Sequence, residues 1–549
     1  MPFIGGMLAR AMIAAAGIPE FRRFRTDEPA IVRPPLPLDS QSTESQQPES
    51  AWSSTPVPSS SDHESESAAA FVAAYRAGDT TPDVVAERFI ESVAASDGAT
   101  PPLRAFIAVD ATDLRQQAAA STRRWRAGIP RGVLDGVPVA VKDELDQTPY
   151  ATSVGTCWLG REPAQVDATV VARLRRAGAL LVGKLNMHEI GLGVTGINPH
   201  HGTARNPYDP DRMTGGSSSG SAAAVAGGLC PIAVSADAGG SIRIPSSLCG
   251  TVGLKPTFGR MSERGAAVLC WSIAHVGAIG ATAADVALAY ITMAGIDPTD
   301  ANTRDQPAPH LNAMRQPNLS GKTIGVYRPW FEDADAAVVA ACDQMLRFLV
   351  DAGAQVREIE IPDLHLVRPV HFVTAAVEWA TAFAQLSRQE RRHFGLDVRL
   401  TLRLARQLEP TDYVHAQRLR RRICDHFAKA LREVDVIATP TTASTAPLIP
   451  IDALTCGESD LVTLDRMTRF VLASNLTGHP AISFPAGYDS RGLPIGLQLI
   501  GRAWCEDLLL HMASVAARYV EPRTPRRHFR LLNASPARAP VAAVGAYER

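Results

Sequence analysis

At 549 residues the chain has room for several domains or for one large α/β unit. Hydrophobic residues at 46% and charged residues at 20% exclude a chain too polar to build a core. The net charge of -1 gives no electrostatic footprint for nucleic acid or for an anionic membrane surface.

In chain order, residues 1–20 form a short apolar helix interrupted by Arg10. A membrane span needs about 20 unbroken apolar residues, so this leader is expected to dock on the protein's own surface. Peripheral membrane contact by the same helix is the alternative reading. The leader is bounded at 1–32. Residues 33–67, rich in Pro, Ser, Glu and Gln, read as a disordered linker. From residue 68 helical and strand patterns alternate up to residue 525. Helices are predicted over Ala69–Ala77, Pro82–Ala95 and 111–127, then a buried strand over Val137–Lys142. Asp167 is predicted to cap a helix running to Ala177, with a buried strand at Ala179–Gly183. Helices follow at 282–295 and 335–353, across 365–433, and at 463–475 and 505–520. Strands are expected at 323–327, 355–360, 434–438, 481–485 and 496–500. Such alternation argues an α/β fold on a largely parallel or mixed sheet. Residues 526–549 read as a loosely ordered tail.

The eight cysteines show no C-x-x-C pair and no metal-ligand spacing with histidine. They read as free thiols of a reducing, cytoplasmic compartment, with Cys230 and Cys249 in the core. Two Gly-rich strings imitate nucleotide motifs and fail. Gly178-x-x-x-x-Gly183-Lys184 is followed by Leu185 and encloses a strand, and Gly191-x-Gly193-x-x-Gly196 precedes no helix.

The chemistry concentrates between Thr214 and Arg260, where two glycine-rich turns carry Ser217 and Ser241, separated by a helix and an apolar strand. Glycine is used where the backbone needs positive φ or close approach, so a serine between glycines stands at an exposed turn. Such a hydroxyl is a poor nucleophile until a base takes its proton. His188, His200 and His201 are nearest in sequence but form no recognisable triad. The other option is a lysine, whose charged form burial disfavours, and Lys142 closes the apolar strand VPVAVK. Spacing alone does not join Lys142 to Ser241.

The motifs GVPVAVKD (136–143), GKLNMHE (183–189), RNPYDP (205–210), GGSSSGSAAAVA (215–226) and DAGGSIRIP (237–245) follow one another as in the amidase signature family. The chain resembles that family over about residues 68–525. The resemblance implies an α/β fold with a central mixed, twisted sheet covered by helices on both faces. It also implies a Ser–cis-Ser–Lys triad needing no metal or organic cofactor. Ser241 is then the nucleophile, Lys142 the general base and later acid, and Ser217 the bridging serine after a cis Gly216–Ser217 peptide. Ala238, Gly239 and Gly240, with Ser241, are expected to supply the oxyanion hole, and Ser218, Asp237 and Arg243 to support the turn.

Stretches 186–221, 434–454, 468–489 and 492–504, with the leader, are similar to the plant-type fatty acid amide hydrolases of that family. This implies hydrolysis of N-acyl amides such as N-acylethanolamines to an acid and an amine, with an apolar acyl channel near 185–197. A homodimer is compatible with the resemblance. Two departures stand out: the 33–67 linker, and Ser235-Ala236-Asp237-Ala238 where relatives carry G-T-D-G/T. Three other readings share the fold. An aryl- or alkyl-amidase of catabolism or secondary metabolism would differ in acyl-pocket size. An amidotransferase A-type subunit usually carries Gln where this chain has Ile244. An inert scaffold is disfavoured by three intact triad positions.

Overall fold

The computed structural model describes residues 10–36 and 66–532. One mixed sheet of eleven strands forms its centre. The strands are β1 (Phe106–Ala108), β2 (Pro138–Lys142), β3 (Leu180–Leu185), β4 (Ile232–Ala236), β5 (Val252–Lys255), β6 (Val276–Gly280), β7 (Thr323–Val326), β8 (Gln355–Glu358), β9 (Val436–Pro440), β10 (Ala481–Tyr488) and β11 (Pro494–Gly501). Their order across the sheet is β1-β3-β2-β4-β6-β5-β10-β11-β9-β7-β8. Every residue of β2, β3 and β4 is buried, which is why these strands read as continuous apolar runs without alternation.

Parallel pairing of β2 with both β3 and β4 sets the geometry that matters most. Val141 lies beside Val234, so β2 and β4 end at the same edge of the sheet. Lys142 is the last residue of β2, and the Ser241 turn leaves β4 at that edge. Ligands of open α/β sheets bind outside the carboxyl ends of strands, and the chemistry-bearing residues gather there.

The helices pack around this sheet, with Ser219–Ala226 against β4 and Ala336–Asp351 and Glu506–Ala516 against β10 and β11. Across 365–433 three helices form, Val367–Ala382, Leu396–Ala405 and Pro410–Glu433, over a second apolar cluster. The helix expected at 463–475 is two, Leu461–Thr468 and Leu472–Thr477. Asp167 does not cap the helix Thr169–Arg176. Its carboxylate accepts instead from Thr148 and Arg175. Strands β1, β5 and β6 escaped the sequence reading because they are three to five residues long and the last two carry glycine.

Residues 1–9 of the leader lie outside the described residues, and its described part packs on the protein from Ile18 onward. Ile18 and Phe21 are buried, Arg22 pairs with Asp412 at 2.6 Å, and Arg422 pairs with Glu28 at 2.8 Å. Most of the expected linker lies outside the described residues, but its start does not behave as a linker, because Pro34 is buried beside Gly478. The tail differs too. Residues 526–532 are anchored by Leu531, which has no exposure, and by the Leu531 and Leu532 N–H groups donating to Glu66. The rest of the expected tail, 533–549, lies outside the described residues. Among the described residues, no helix is long and apolar enough to cross a membrane.

Candidate active site

Lys142 Nζ donates to Ser217 Oγ at 2.8 Å, and the Ser217 backbone N–H donates to Ser241 Oγ at 2.9 Å. The three residues named from the sequence therefore form one line of contacts at the shared end of β2 and β4. None is more than 4% exposed. The structure also selects among lysines. Lys184 and Lys255 are as buried as Lys142, but their ammonium groups bond carbonyls elsewhere, of Leu145 and of Pro256 and His479.

Both serine turns are built on glycines that nothing larger could replace. Gly216 holds φ at 62°, and a Cβ there would lie 2.5 Å from Pro245. Gly240 holds φ at 100°, with Val471 2.4 Å from its would-be Cβ. L-residues rarely adopt such φ, and both positions are sterically closed as well. The turns thus pack against each other, with Ser217 placed between Lys142 and Ser241. The cis peptide expected before Ser217 is not among the cis bonds of the described residues, which are Thr100–Pro101 and Thr148–Pro149. Both precede proline, where the trans preference is small, whereas a non-proline cis bond costs about 3–4 kcal/mol.

Asp237 bonds the nucleophile turn and pairs with Arg243. The Asp237 carboxylate accepts from the N–H groups of Gly240 (2.7 Å) and Ile242 (3.1 Å) and from Arg243 Nη2 (2.9 Å). Arg243 reaches on to Val471 O, Ser474 Oγ, Gln498 Oε1 and Asn475 Oδ1. Burial by itself would push the Asp237 carboxyl up, but the Arg243 guanidinium and the Asn475 amide hold it well below the usual carboxylate range. Ser218 donates to Ala236 O at 3.1 Å, fixing the start of the helix that follows the first turn.

The oxyanion hole needs a correction. The Gly240 N–H is held by the Asp237 side chain three residues back, so it is not free to meet an oxyanion. Among the described residues the N–H groups of Ala238, Gly239 and Ser241 have no acceptor. On the opposite side of this turn stands a residue the sequence reading missed. His371 Nε2 lies 2.7 Å from the Ala238 carbonyl, and burial lowers the imidazole to about 4. At neutral pH His371 is uncharged and donates from Nε2, which fixes the peptide plane of Ala238.

Glu144 was also missed, and its carboxylate lies 2.6 Å from Lys142 Nζ. Gly191, in the stretch expected near the acyl channel, lies beside Ser217. A Cβ on Gly191 would sit 3.8 Å from Ser217 Oγ and 3.5 Å from Leu269. Its neighbour Ile190 is held at φ 46°, a strained conformation for a β-branched residue.

The amidase profile matches residues 88–510. The chain is 46% identical to a fatty acid amide hydrolase of Oryza sativa subsp. indica over 455 residues, 81% of this chain and 74% of that protein. It is 37% identical to the A subunit of a glutamyl-tRNA(Gln) amidotransferase from Thioalkalivibrio sulfidiphilus, over 80% of this chain and 94% of the other. Its fold superposes with a TM-score of 0.73 on a peptide amidase from Stenotrophomonas maltophilia at 28% identity, covering 86% of this chain and all of that one.

Proposed function

The chain belongs to the amidase signature family, and from that premise we propose that Lys142, Ser217 and Ser241 carry out its amide hydrolysis through an acyl-serine. The protein cleaves the C–N bond of fatty acid amides, releasing a carboxylic acid and an amine. What supports the residue assignment is that Lys142 Nζ meets Ser217 Oγ while the backbone N–H of the same serine meets Ser241 Oγ, which brings the three residues together.

Acting as general base, Lys142 draws a proton from Ser241 by way of the Ser217 hydroxyl, and Ser241 Oγ attacks the carbonyl carbon. Glu144 beside Nζ stabilises the ammonium that forms. Negative charge gathers on the substrate oxygen, where the free N–H groups of Gly239 and Ser241 are preorganised to receive it. Such donors are worth roughly 3–4 kcal/mol each. The proton returns through Ser217 to the leaving nitrogen, the amine departs, and water then deacylates Ser241 by the same relay. His371, through the Ala238 carbonyl, and Asp237, through the Gly240 N–H, keep those donors aimed without reorganisation during the reaction.

A long acyl chain is supported by the greater similarity to fatty acid amide hydrolases than to the amidotransferase protein. A cytoplasmic setting is supported by eight free thiols. Peripheral membrane contact by the leader loses support between Ile18 and Arg23, where Ile18 and Phe21 are buried against the protein. A homodimer rests on resemblance alone.

The test is kcat/KM over N-acylethanolamines and simple amides of increasing acyl length, beside Ser241→Ala and Lys142→Ala. At about 0.8 kcal/mol per buried methylene, each added CH₂ is expected to raise kcat/KM up to roughly fourfold until the channel is filled. Both variants are expected to lose at least about a thousandfold. A flat series with aryl amides preferred would point to a general amidase, and an unimpaired Ser241→Ala would remove the mechanism.

A further inference from the structure

On the loop that follows β2, Cys157 is an exposed thiol. Its Sγ lies 3.4 Å from His200 Nδ1, and the other ring nitrogen, Nε2, contacts the buried carboxylate of Glu189. The second Glu189 oxygen accepts from the Gly395 N–H at 2.7 Å, which leaves the first directed at His200. The imidazole is pinned in turn by its own backbone, because the His200 N–H donates to Asn198 Oδ1 at 2.7 Å. A carboxylate can only accept, so His200 Nε2 turns its N–H to Glu189, and in the neutral imidazole the Nδ1 lone pair faces the thiol. The chain contains thiol, imidazole and carboxylate in the relation of nucleophile, base and orienting group.

The other cysteines lack this arrangement. Cys230, Cys249, Cys270, Cys342 and Cys424 are buried, and burial pushes the Cys505 thiol up to about 11. Cys456 donates to the Asp452 carbonyl, which cannot take its proton. Next to Cys157, Trp158 packs edge-on against Phe394 and, with Leu159, carries the loop onto the second apolar cluster. The thiol therefore neighbours partly buried apolar side chains that pack onto that cluster.

We propose that Cys157, His200 and Glu189 form a second nucleophilic centre, a modification site for apolar α,β-unsaturated carbonyl compounds. His200 Nδ1 takes the thiol proton as Sγ bonds to the β-carbon. The π electrons move onto the carbonyl as an enolate, and His200 returns the proton to the α-carbon. The product is a thioether, with no leaving group and no oxidant.

N-ethylmaleimide, itself an α,β-unsaturated carbonyl, is applied at neutral pH to the full native chain, and each cysteine is followed by peptide mass spectrometry. Cys157 is expected to react at least about tenfold faster than Cys456, and His200→Asn to bring it down to the Cys456 rate. Equal rates at Cys157 and Cys456 in the unaltered chain would overturn the proposal without reference to any variant. So would a His200→Asn chain that keeps its hydrolytic activity and labels Cys157 as fast as before. A homologous pair of enals with short and long alkyl tails tests the apolar preference, and a faster short enal overturns it.

Discussion

Asp237 and Arg243 meet with neither side chain exposed; Asp237 also accepts from two N–H groups of the nucleophile turn, and Arg243 donates to groups at 471–475 and to Gln498. Breaking one member of such a pair leaves the other charge buried without compensation, at about 3–5 kcal/mol. Asp237→Asn keeps the acceptor's shape yet strands the Arg243 guanidinium, so its melting temperature in scanning calorimetry is expected to fall by several degrees. An unchanged melt would mean that the pair does not hold the turn. Glycine spacing and an apolar strand, both local signals, single out the serines and Lys142 in the sequence, but their roles and their connection come only from the resemblance to the amidase signature family. His371 was not legible there, since it lies 133 residues from Ala238 and meets it only through the docking of a helix onto the turn. Glu144 sits two residues beyond Lys142, but an acidic residue after a strand reads as a solvated charge until the backbone folds it over Nζ.

Elements were legible in proportion to their length and periodicity. β2, β3 and the helix Pro82–Asp97 appear within a few residues of where pattern placed them, whereas β5 and β6 exist because neighbours on both sides supply their ladders. The anchored segment 526–532 shows the same limit, since its docking depends on Glu66 at the far end of the domain. Burial outweighs the two N–H bonds from Leu531 and Leu532 and raises the Glu66 carboxyl from 4.5 to about 7. A raised folded value means that the contribution is fully present below about 4.5 and is lost as pH climbs through about 7, roughly 3 kcal/mol in all. Backbone amide exchange at Leu531 and Leu532 is therefore expected to accelerate between pH 5 and 8 beyond its intrinsic base catalysis. Glu66→Gln is expected to lack that extra acceleration, and equal profiles in the two chains would refute the assignment.

Across the whole molecule, the sheet joins two halves at the β5–β10 pairing. Lys142, Ser217 and Ser241 all belong to the first half, while the groups that hold Arg243, at 471–475 and at Gln498, belong to the second. During synthesis on a ribosome the three reacting side chains are complete once residue 241 has emerged. The guanidinium two residues later must wait for more than 200 further residues before its last acceptor arrives. A stalled nascent chain ending at residue 440 is expected to hydrolyse no amide although it contains the full triad. Activity from such a chain, measured on purified stalled complexes, would show that the turn sets itself. Otherwise the hydrolase stays silent until its final strands have been made, and a half-built copy does not act on lipid amides it meets while still attached to the ribosome.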